Sequence, residues 1–144
     1  WEFMGLMPSE GNGRLGISYY VYPEENFSGK QKVIDILSRY VASDPKLGRP
    51  VFGTAFWLQW GPYIIMNDAI GRAIDKVGYE KLDGAAVKEA IESTKNLDMF
   101  GAVPPLNFSP TQHTGESFQR FVRVDVPNLT ARPVSDWFRW EAPK

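Results

Sequence analysis

The segment from Phe52 to Gly78, FGTAFWLQWGPYIIMNDAIGRAIDKVG, constrains the fold of this chain more strongly than any other stretch. Its second half carries apolar residues at steps of three and four, which predicts one buried face of a helix. These residues are Tyr63, Met66, Ile70, Ala73, Ile74 and Val77. Pro62 lacks a backbone N–H and suits a first helical turn, so the helix is predicted to begin near Gly61. Gly78 favours a left-handed cap at its end.

Large aromatic residues precede this predicted helix, namely Phe52, Phe56, Trp57 and Trp60. Aromatic side chains ahead of a helix N-terminus predict a half-apolar pocket. The free N–H groups of the first turn favour an anion, such as a carboxylate, at the edge of that pocket. Composition alone favours the alternative interpretation, in which these aromatic side chains fill a core.

Composition argues against several classes of protein. The chain has 144 residues, of which 43% are hydrophobic, and this fits one modest domain with a core. A net charge of −1 and the lack of a basic run argue against nucleic acid as a partner. No apolar stretch approaches the roughly 20 residues of a membrane-spanning helix. The absence of cysteine excludes disulfides, thiolate catalysis and cysteine-ligated zinc.

The segments that surround the central stretch predict an α/β chain. Leu15 to Tyr22 is almost continuously apolar, which is typical of a strand covered on both faces, as in a parallel sheet. Ser28 and Gln31 form a capping-box pattern ahead of an amphipathic helix. Asp83 can cap a further helix. The residues predicted to be buried on that helix are Val87, Ala90 and Ile91.

The last third of the chain predicts strands. Leu106 to Phe108 can form a short strand, and Phe118 to Val126 alternates as a half-exposed strand does. Ala131 to Val134 is predicted to return as its antiparallel partner across a turn at Asn128-Leu129. One predicted strand ahead of three predicted helices is too few for a complete doubly wound sheet. This number and order of strands and helices therefore predicts that the chain is part of a larger fold.

The chain carries little catalytic chemistry. His113 is the only histidine, and a Ser109–His113 nucleophilic pair has no supporting motif. One histidine among scattered carboxylates is also a weak basis for a metal site. We therefore expect His113 to fix a loop through hydrogen bonds to the backbone, and we interpret Glu24 and Glu25 as a solvated turn. The glycine-rich nucleotide-phosphate motif GxxxxGK(S/T) does not occur in the sequence, so no cofactor is predicted.

Several stretches together carry a family resemblance. They are Gly16–Pro23 with the helix after Ser28, then AFWLQWGPYIIMNDAIGRAIDKVG, and then NFSPTQHTG with the Phe118–Val134 hairpin. They resemble the C-terminal part of type I solute-binding proteins, the extracytoplasmic receptors of ABC transporters of the branched-chain amino acid type. Trp60-Gly61 takes the place of the usual Tyr, and the family's Ala and Gly spacing follows it. The NFSPTQHTG loop departs from the family where Gln112 and Thr114 replace an Asp and an Arg.

The resemblance implies a fold with two Rossmann-like α/β lobes joined by a hinge, of which this chain is the C-terminal portion, with a short terminal antiparallel hairpin. Residues 1–48 would then belong to the C-terminal lobe, and residues 49–56 would cross the hinge. Residues 57–103 would form helices that pack on the N-terminal lobe, and residues 104–144 would supply the closing strands and the hinge return. The missing N-terminal part of the protein is an expected partner, because the isolated piece should expose apolar faces.

The resemblance also implies a function. It implies a periplasmic or otherwise extracytoplasmic receptor, not an enzyme, that captures a small solute in the cleft between its lobes and delivers it to an ABC transporter permease. Phe56, Trp57 and Trp60 are expected to enclose the apolar part of an amino acid or an aromatic acid. Residues upstream of Trp1 would bind its charged ends. The alternatives are a ligand-sensing regulatory domain of the same fold and a small hydrolase that uses His113.

Overall fold

A computed structural model describes residues 9–22, 25–41, 54–115, 118–128 and 130–139. The helices in these ranges are α1 (Lys30–Val41), α2 (Thr54–Val77) and α3 (Gly84–Glu92), and 3-10 turns lie at Ser9–Gly11 and Tyr79–Lys81. The strands are β1 (Leu15–Ser18), β2 (Phe118–Asp125), β3 (Thr130–Pro133) and β4 (Phe138–Arg139). These elements confirm the predicted α/β class.

The strands form one antiparallel sheet around β2. β1 pairs with one side of β2, while β3 and β4 pair with its other side. The β2–β3 hairpin confirms the predicted antiparallel return. The predicted parallel sheet is wrong for the described strands, and β1 ends earlier than predicted. The hydroxyl of Ser18 donates to the carbonyl of Tyr20 at 2.8 Å, and this local bond turns the chain away from the ladder.

α1 confirms the helix predicted after Ser28, but its capping box is wrong. The backbone N–H of Val33 donates to the carbonyl of Gly29 at 3.0 Å, so the helix begins after Gly29 rather than after Ser28. The side-chain amide of Gln31 donates instead to the carboxylate of Asp35 at 2.8 Å. Both residues lie inside the helix, where such a pair supports the next turn.

α2 is longer than the sequence predicts. It begins at Thr54, and Pro62 lies inside it, so the predicted start near Gly61 is wrong. A proline inside a helix removes one hydrogen bond and costs about 3 kcal/mol. Phe56 and Trp60, in the turns before Pro62, pack against the buried cluster of Val21, Val33 and Ala102, and this packing offsets the cost. Gly78 follows the last helical residue, as predicted, with a φ of 82°. Its ψ of 153° is extended, so the chain leaves the helix without the left-handed cap.

α3 packs on α2 through small side chains. Ala69, Ala73 and Ala90 are buried, and the partly buried side chains of Val87 and Ile91 pack against them, as predicted for α3. The predicted N-cap is confirmed as well, since the carboxylate of Asp83 accepts a hydrogen bond of 2.8 Å from the backbone N–H of Ala86. Alanine at the contact allows the two helices to approach closely.

Arg72 on α2 ties this helix pair together. Its guanidinium donates to the carbonyl of Ala90 at 2.7 Å and to the hydroxyl of Thr94 at 2.6 Å. It also pairs with Asp68, one turn earlier on the same helix, at 2.7 Å. The polar groups at this end of α3 are therefore satisfied by a side chain of α2.

The remaining predictions concern connections. The short strand predicted at Leu106–Phe108 is limited to an isolated bridge between Leu106 and Leu97. The predicted hinge crossing at 49–56 lies mostly outside the described residues, and its last residues, 54–56, are helical. The lobe boundaries given above remain predictions.

Candidate functional site

A cavity of about 360 Å³ lies where the end of β1, the middle of α2, the segment 99–106 and the start of β2 meet. Its walls are mainly apolar and aromatic. The lining residues are Tyr19, Tyr20, Trp60, Gly61, Pro62, Ile65, Met99, Ala102, Val103, Leu106, Phe118 and Gln119. The volume lies in the range of small-molecule sites, and two lining residues, Tyr19 and Pro62, are exposed, so the cavity is open to solvent.

Trp60 is the predicted site residue that lines this cavity. Phe56 lies one helical turn earlier and stacks on it, with ring centroids 5.2 Å apart and an interplanar angle of 29°. Phe56 also packs against the buried cluster of Val21, Val33 and Ala102, and it is not among the cavity-lining residues. Trp60 packs against the same cluster, so the two rings form a double layer in which Trp60 also lines the cavity and Phe56 lies behind it.

The third predicted site residue, Trp57, belongs to α2, but its side chain lies outside the described part of the structure. The predicted anion site at Gly61-Pro62 is wrong, because these residues are inside α2 and not at its N-terminus. Interior helical N–H groups bond to carbonyls of the preceding turn and cannot turn toward an anion. Pro62 has no N–H at all, so it donates no hydrogen bond, and the backbone carbonyl four residues earlier loses its helical partner.

Backbone hydrogen bonds hold the walls of the cavity together. The N–H of Val21 donates to the carbonyl of Ala102 at 3.1 Å, which joins the chain after β1 to the segment 99–106. Gly101 makes the tight turn in that segment at a φ of 73°. This φ strains any other residue, and a Cβ atom at Gly101 would also lie 2.6 Å from the hydroxyl oxygen of Ser28, so the turn strongly favours glycine.

A buried arginine anchors another wall of the cavity. Arg120 on β2 is 4% exposed, and its guanidinium donates to the carbonyl of Tyr20 at 2.9 Å. It also forms a bidentate ion pair with Glu25, with both N–O distances at 2.5 Å. The ring of Trp137 lies 4.5 Å from the guanidinium carbon. Since Tyr20 lines the cavity, Arg120 fixes the position of that wall from behind.

Sequence reasoning missed this ion pair. The interpretation of Glu25 as part of a solvated turn is wrong, because the acid pairs with Arg120, 95 residues later in the chain. One signal was present: Arg120 has the same alternation phase as Val122 and Val124, which are both buried. A cation in a buried phase indicates a buried partner. Burial here also raises the pKa of the Tyr22 hydroxyl, whose ring lies 5.9 Å from the guanidinium carbon.

His113 lies away from the cavity. Its Nε2 is 3.0 Å from the carboxylate of Glu92 on α3, and the ring is exposed. The expected backbone partner is therefore wrong, and a side chain of α3 holds the loop instead. The hydroxyl of Ser109 lies 3.4 Å from that of Thr111, and the structure does not bring Ser109 and His113 together as a nucleophilic pair.

The cavity has few groups with which to bind charge. Among the described residues that line it there is no Asp, Glu, Lys, Arg or His, and the polar side chains are two tyrosines, one tryptophan and Gln119. Within the described ranges, no cluster of three or more acidic or histidine side chains could hold a metal ion. None of the helices described above combines the length and apolar character that crossing a bilayer requires. The cavity is thus suited to enclosing an apolar group.

Comparison with known proteins gives similarity in structure only. No family model matches the chain, and no curated protein sequence does. The leucine binding protein LivK from Thermotoga maritima MSB8 superposes with a TM-score of 0.61 at 19% identity, over 93% of this chain and 33% of that one. A branched chain amino acid ABC transporter protein from Thermus thermophilus, solved with bound valine, gives 0.61 at 21% identity, over 89% and 34%.

This chain therefore spans about a third of the solved structures that it matches. At 19% and 21% identity the likeness shows the fold alone. The resemblance found in the sequence is confirmed at that level, including the expectation that only a portion of the family's fold is present. The chain has the α/β fold of part of a type I periplasmic binding protein.

Proposed function

We propose that this chain is part of an extracytoplasmic solute-binding receptor that captures a small amino-acid-like or aromatic carboxylate solute and delivers it to an ABC transporter. The observation that carries the proposal is the open apolar cavity of about 360 Å³ with Trp60 in its wall. The fold supports it, since a protein with the same fold was solved with valine bound. The receptor acts in the periplasm, with the transporter permease as its partner.

Each predicted site residue has a role in this proposal. Trp60 contacts the apolar end of the solute, and Phe56 holds the indole ring in place by stacking on it. Trp57, one residue along the helix from Phe56, completes the aromatic enclosure. The solute's charged ends are bound by residues outside this chain, because the described lining of the cavity contains no acidic or basic side chain.

The test uses the complete receptor, in which this chain is joined to the rest of the two-lobed fold. Isothermal titration calorimetry with L-leucine, L-valine, L-phenylalanine and phenylacetate identifies a solute that binds. Trp60→Ala is then expected to weaken binding by about 2 kcal/mol, or roughly 30-fold, as buried aromatic contacts do. Phe56→Ala should weaken it less, because its ring acts through Trp60.

Tyr63→Ala is the matched control. Tyr63 is an aromatic residue on the same helix, it is 71% exposed, and it does not line the cavity. This variant should bind the solute as the unmodified receptor does. Unchanged affinity in both Trp60→Ala and Phe56→Ala, with thermal melts showing folded protein, would contradict the proposed site. Failure of all four solutes to bind would contradict the proposed solute class.

A further inference from the structure

The segment 99–102 makes a strained turn in the wall of the cavity. The N–H of Ala102 donates to the carbonyl of Met99 at 3.2 Å and closes the turn. The two central residues, Phe100 and Gly101, have φ angles of 58° and 73°. Positive φ at both central positions is the pattern of a type I′ turn, in which glycine, asparagine and aspartate predominate. A bulky side chain such as that of Phe100 is strained there, and such strain points to a role for its ring.

The start of α1 holds Phe100 through both its backbone and its ring. The N–H of Gly29 donates to the carbonyl of Phe100 at 2.8 Å. A Cβ atom at Gly29 would overlap the Cβ atom of Phe100, so the close approach of the two segments depends on a glycine. One turn along α1, the ammonium of Lys32 lies 4.1 Å from the centroid of the Phe100 ring, which is within cation–π range. Helix α1 therefore fixes the position of this strained residue.

The ring of Phe100 in turn contacts the indole of Trp60. The two ring centroids are 6.2 Å apart at an interplanar angle of 60°, which is an edge-to-face arrangement. Phe56 meets the same indole differently, since it stacks on it at 5.2 Å and 29°. Trp60 lines the cavity, whereas Phe100 and Phe56 do not. Two rings outside the cavity wall, one stacked and one edge-on, therefore fix the orientation of the indole ring in that wall.

The orientation of this indole matters more to an aromatic solute than to an aliphatic one. Two aromatic rings gain energy beyond their buried area when they meet in an offset-stacked or edge-to-face geometry. An aliphatic group needs only apolar surface, because the hydrophobic effect is not directional. The cavity wall also contains the aromatic side chains of Tyr19, Tyr20 and Phe118. A fixed indole among three further aromatic side chains suits a flat solute.

We infer that Phe100 is a positioning residue that holds the Trp60 indole for ring-to-ring contact, and that the proposed site is consequently selective for aromatic over aliphatic solutes. The inference rests on the proposed function, in which Trp60 contacts the apolar end of the solute. It narrows the solute class from small amino-acid-like molecules in general to carboxylates that carry an aromatic ring.

The test measures the affinity of the complete receptor for L-phenylalanine and L-leucine, which share their charged ends and differ in the side chain. Titration calorimetry should show tighter binding of L-phenylalanine to the unmodified receptor. Phe100→Leu keeps an apolar side chain but removes the ring. It should weaken binding of L-phenylalanine by about three- to tenfold and that of L-leucine by about twofold or less. Phe100→Tyr keeps the ring and should restore both affinities.

A second variant separates the role of the ring from the stability of the turn. Phe100→Gly removes the ring but also relieves the strain of a positive φ, because glycine adopts this conformation freely. Circular dichroism melts should therefore show folded protein. Its preference for L-phenylalanine over L-leucine should nevertheless fall as far as that of Phe100→Leu. Lys32→Met removes the ammonium above the ring and should cause a smaller loss of about twofold.

Phe121→Leu is the matched control. Phe121 pairs with the ring of Phe138, with centroids 5.2 Å apart, but it lies on β2 and does not line the cavity. The same substitution as in Phe100→Leu thus removes an aromatic contact at a different place. The ratio of the two affinities should be that of the unmodified receptor.

The results that would overturn the inference differ from a failure of the proposed function. Equal loss of affinity for both amino acids in Phe100→Leu would show that Phe100 only stabilises the fold. An unchanged affinity ratio in folded Phe100→Gly would remove Phe100 as the positioning residue. Tighter binding of L-leucine than of L-phenylalanine would remove the selectivity and leave the solute-binding function intact. Binding of none of L-phenylalanine, L-leucine and phenylacetate would contradict the proposed function, and the inference with it.

Discussion

The α2–α3 helix pair and the β1–β2–β3 sheet differ in which apolar side chains they bury and which they leave exposed. The helix pair buries small residues, Ala69, Ala73 and Ala90, and satisfies its polar groups through Arg72. The sheet buries one face but leaves Ile17 and Phe121 about half exposed on the other. Burying a large apolar side chain fully is worth about 1.5–3 kcal/mol. The contact between α2 and α3 is thus satisfied by its own side chains, although Tyr63 and Met66 elsewhere on α2 are exposed. Ile17 and Phe121 would be stabilised further by burial.

The largest expected effect is on the free energy of unfolding when the buried Arg120–Glu25 ion pair of the sheet is broken. Arg120→Met should lower the free energy of unfolding by about 3–5 kcal/mol, because it leaves the Glu25 carboxylate unpaired against a buried wall. Urea denaturation measures the change. The double variant Arg120→Met with Glu25→Gln should recover much of the loss, since no unpaired charge then remains.

The helix pair offers the contrasting ion pair for that experiment. Lys76 and Glu89 join α2 to α3, but their side chains are 60% and 65% exposed. Lys76→Met should therefore cost less than about 1 kcal/mol. If it cost as much as Arg120→Met, the contrast between a sheet held by one buried pair and a helix pair held by close packing would be wrong.

A second, smaller effect tests the close packing of the helix pair. Ala73 is 1% exposed against α3, and Ala73→Leu should destabilise the protein by about 1–3 kcal/mol through overpacking. Gly71→Ala is its neighbouring control: a Cβ atom at this exposed helical position meets nothing within 4 Å. That variant should gain about 1 kcal/mol. Thermal melts of both variants would refute close packing if Ala73→Leu were neutral.

The smallest effect concerns the loop tied to α3. Hydrogen bonding from Lys88, and then from His113, lowers the pKa of Glu92 below its ordinary value of 4.5. A lowered pKa in the folded state contributes stability above pH 4.5, and that contribution is lost as the pH falls through the folded pKa. Glu92→Gln should therefore flatten the decline in stability below pH 4.5. An unchanged acid limb in unfolding titrations would contradict this assignment.

The sequence predicted those features whose signals are local. The Asp83 cap, the face of α3 that packs on α2 and the β2–β3 hairpin each depend on residues close together in the chain, and all are confirmed, although Val87 and Ile91 on that face are only partly buried. The predicted start of α2 was wrong because it relied on the preference of proline for a first helical turn. The packing of Phe56 and Trp60 against the core outweighs that preference and extends the helix ahead of Pro62. The Arg120–Glu25 pair joins residues far apart, and no local pattern identifies which charge will meet which.

The same separation affects how the protein is made. Arg123 on β2 contacts the carbonyl of Gly13, 110 residues earlier in the chain. At a synthesis rate of about 5–20 residues per second, the ribosome makes β2 roughly 5–20 s after β1. The contacts of Arg72 with Ala90 and Thr94 span only 18 and 22 residues and can form much sooner. Among the described elements, β1 therefore pairs with β2 later than α2 packs on α3, and during that interval the edge of β1 that faces β2 is available to other strands.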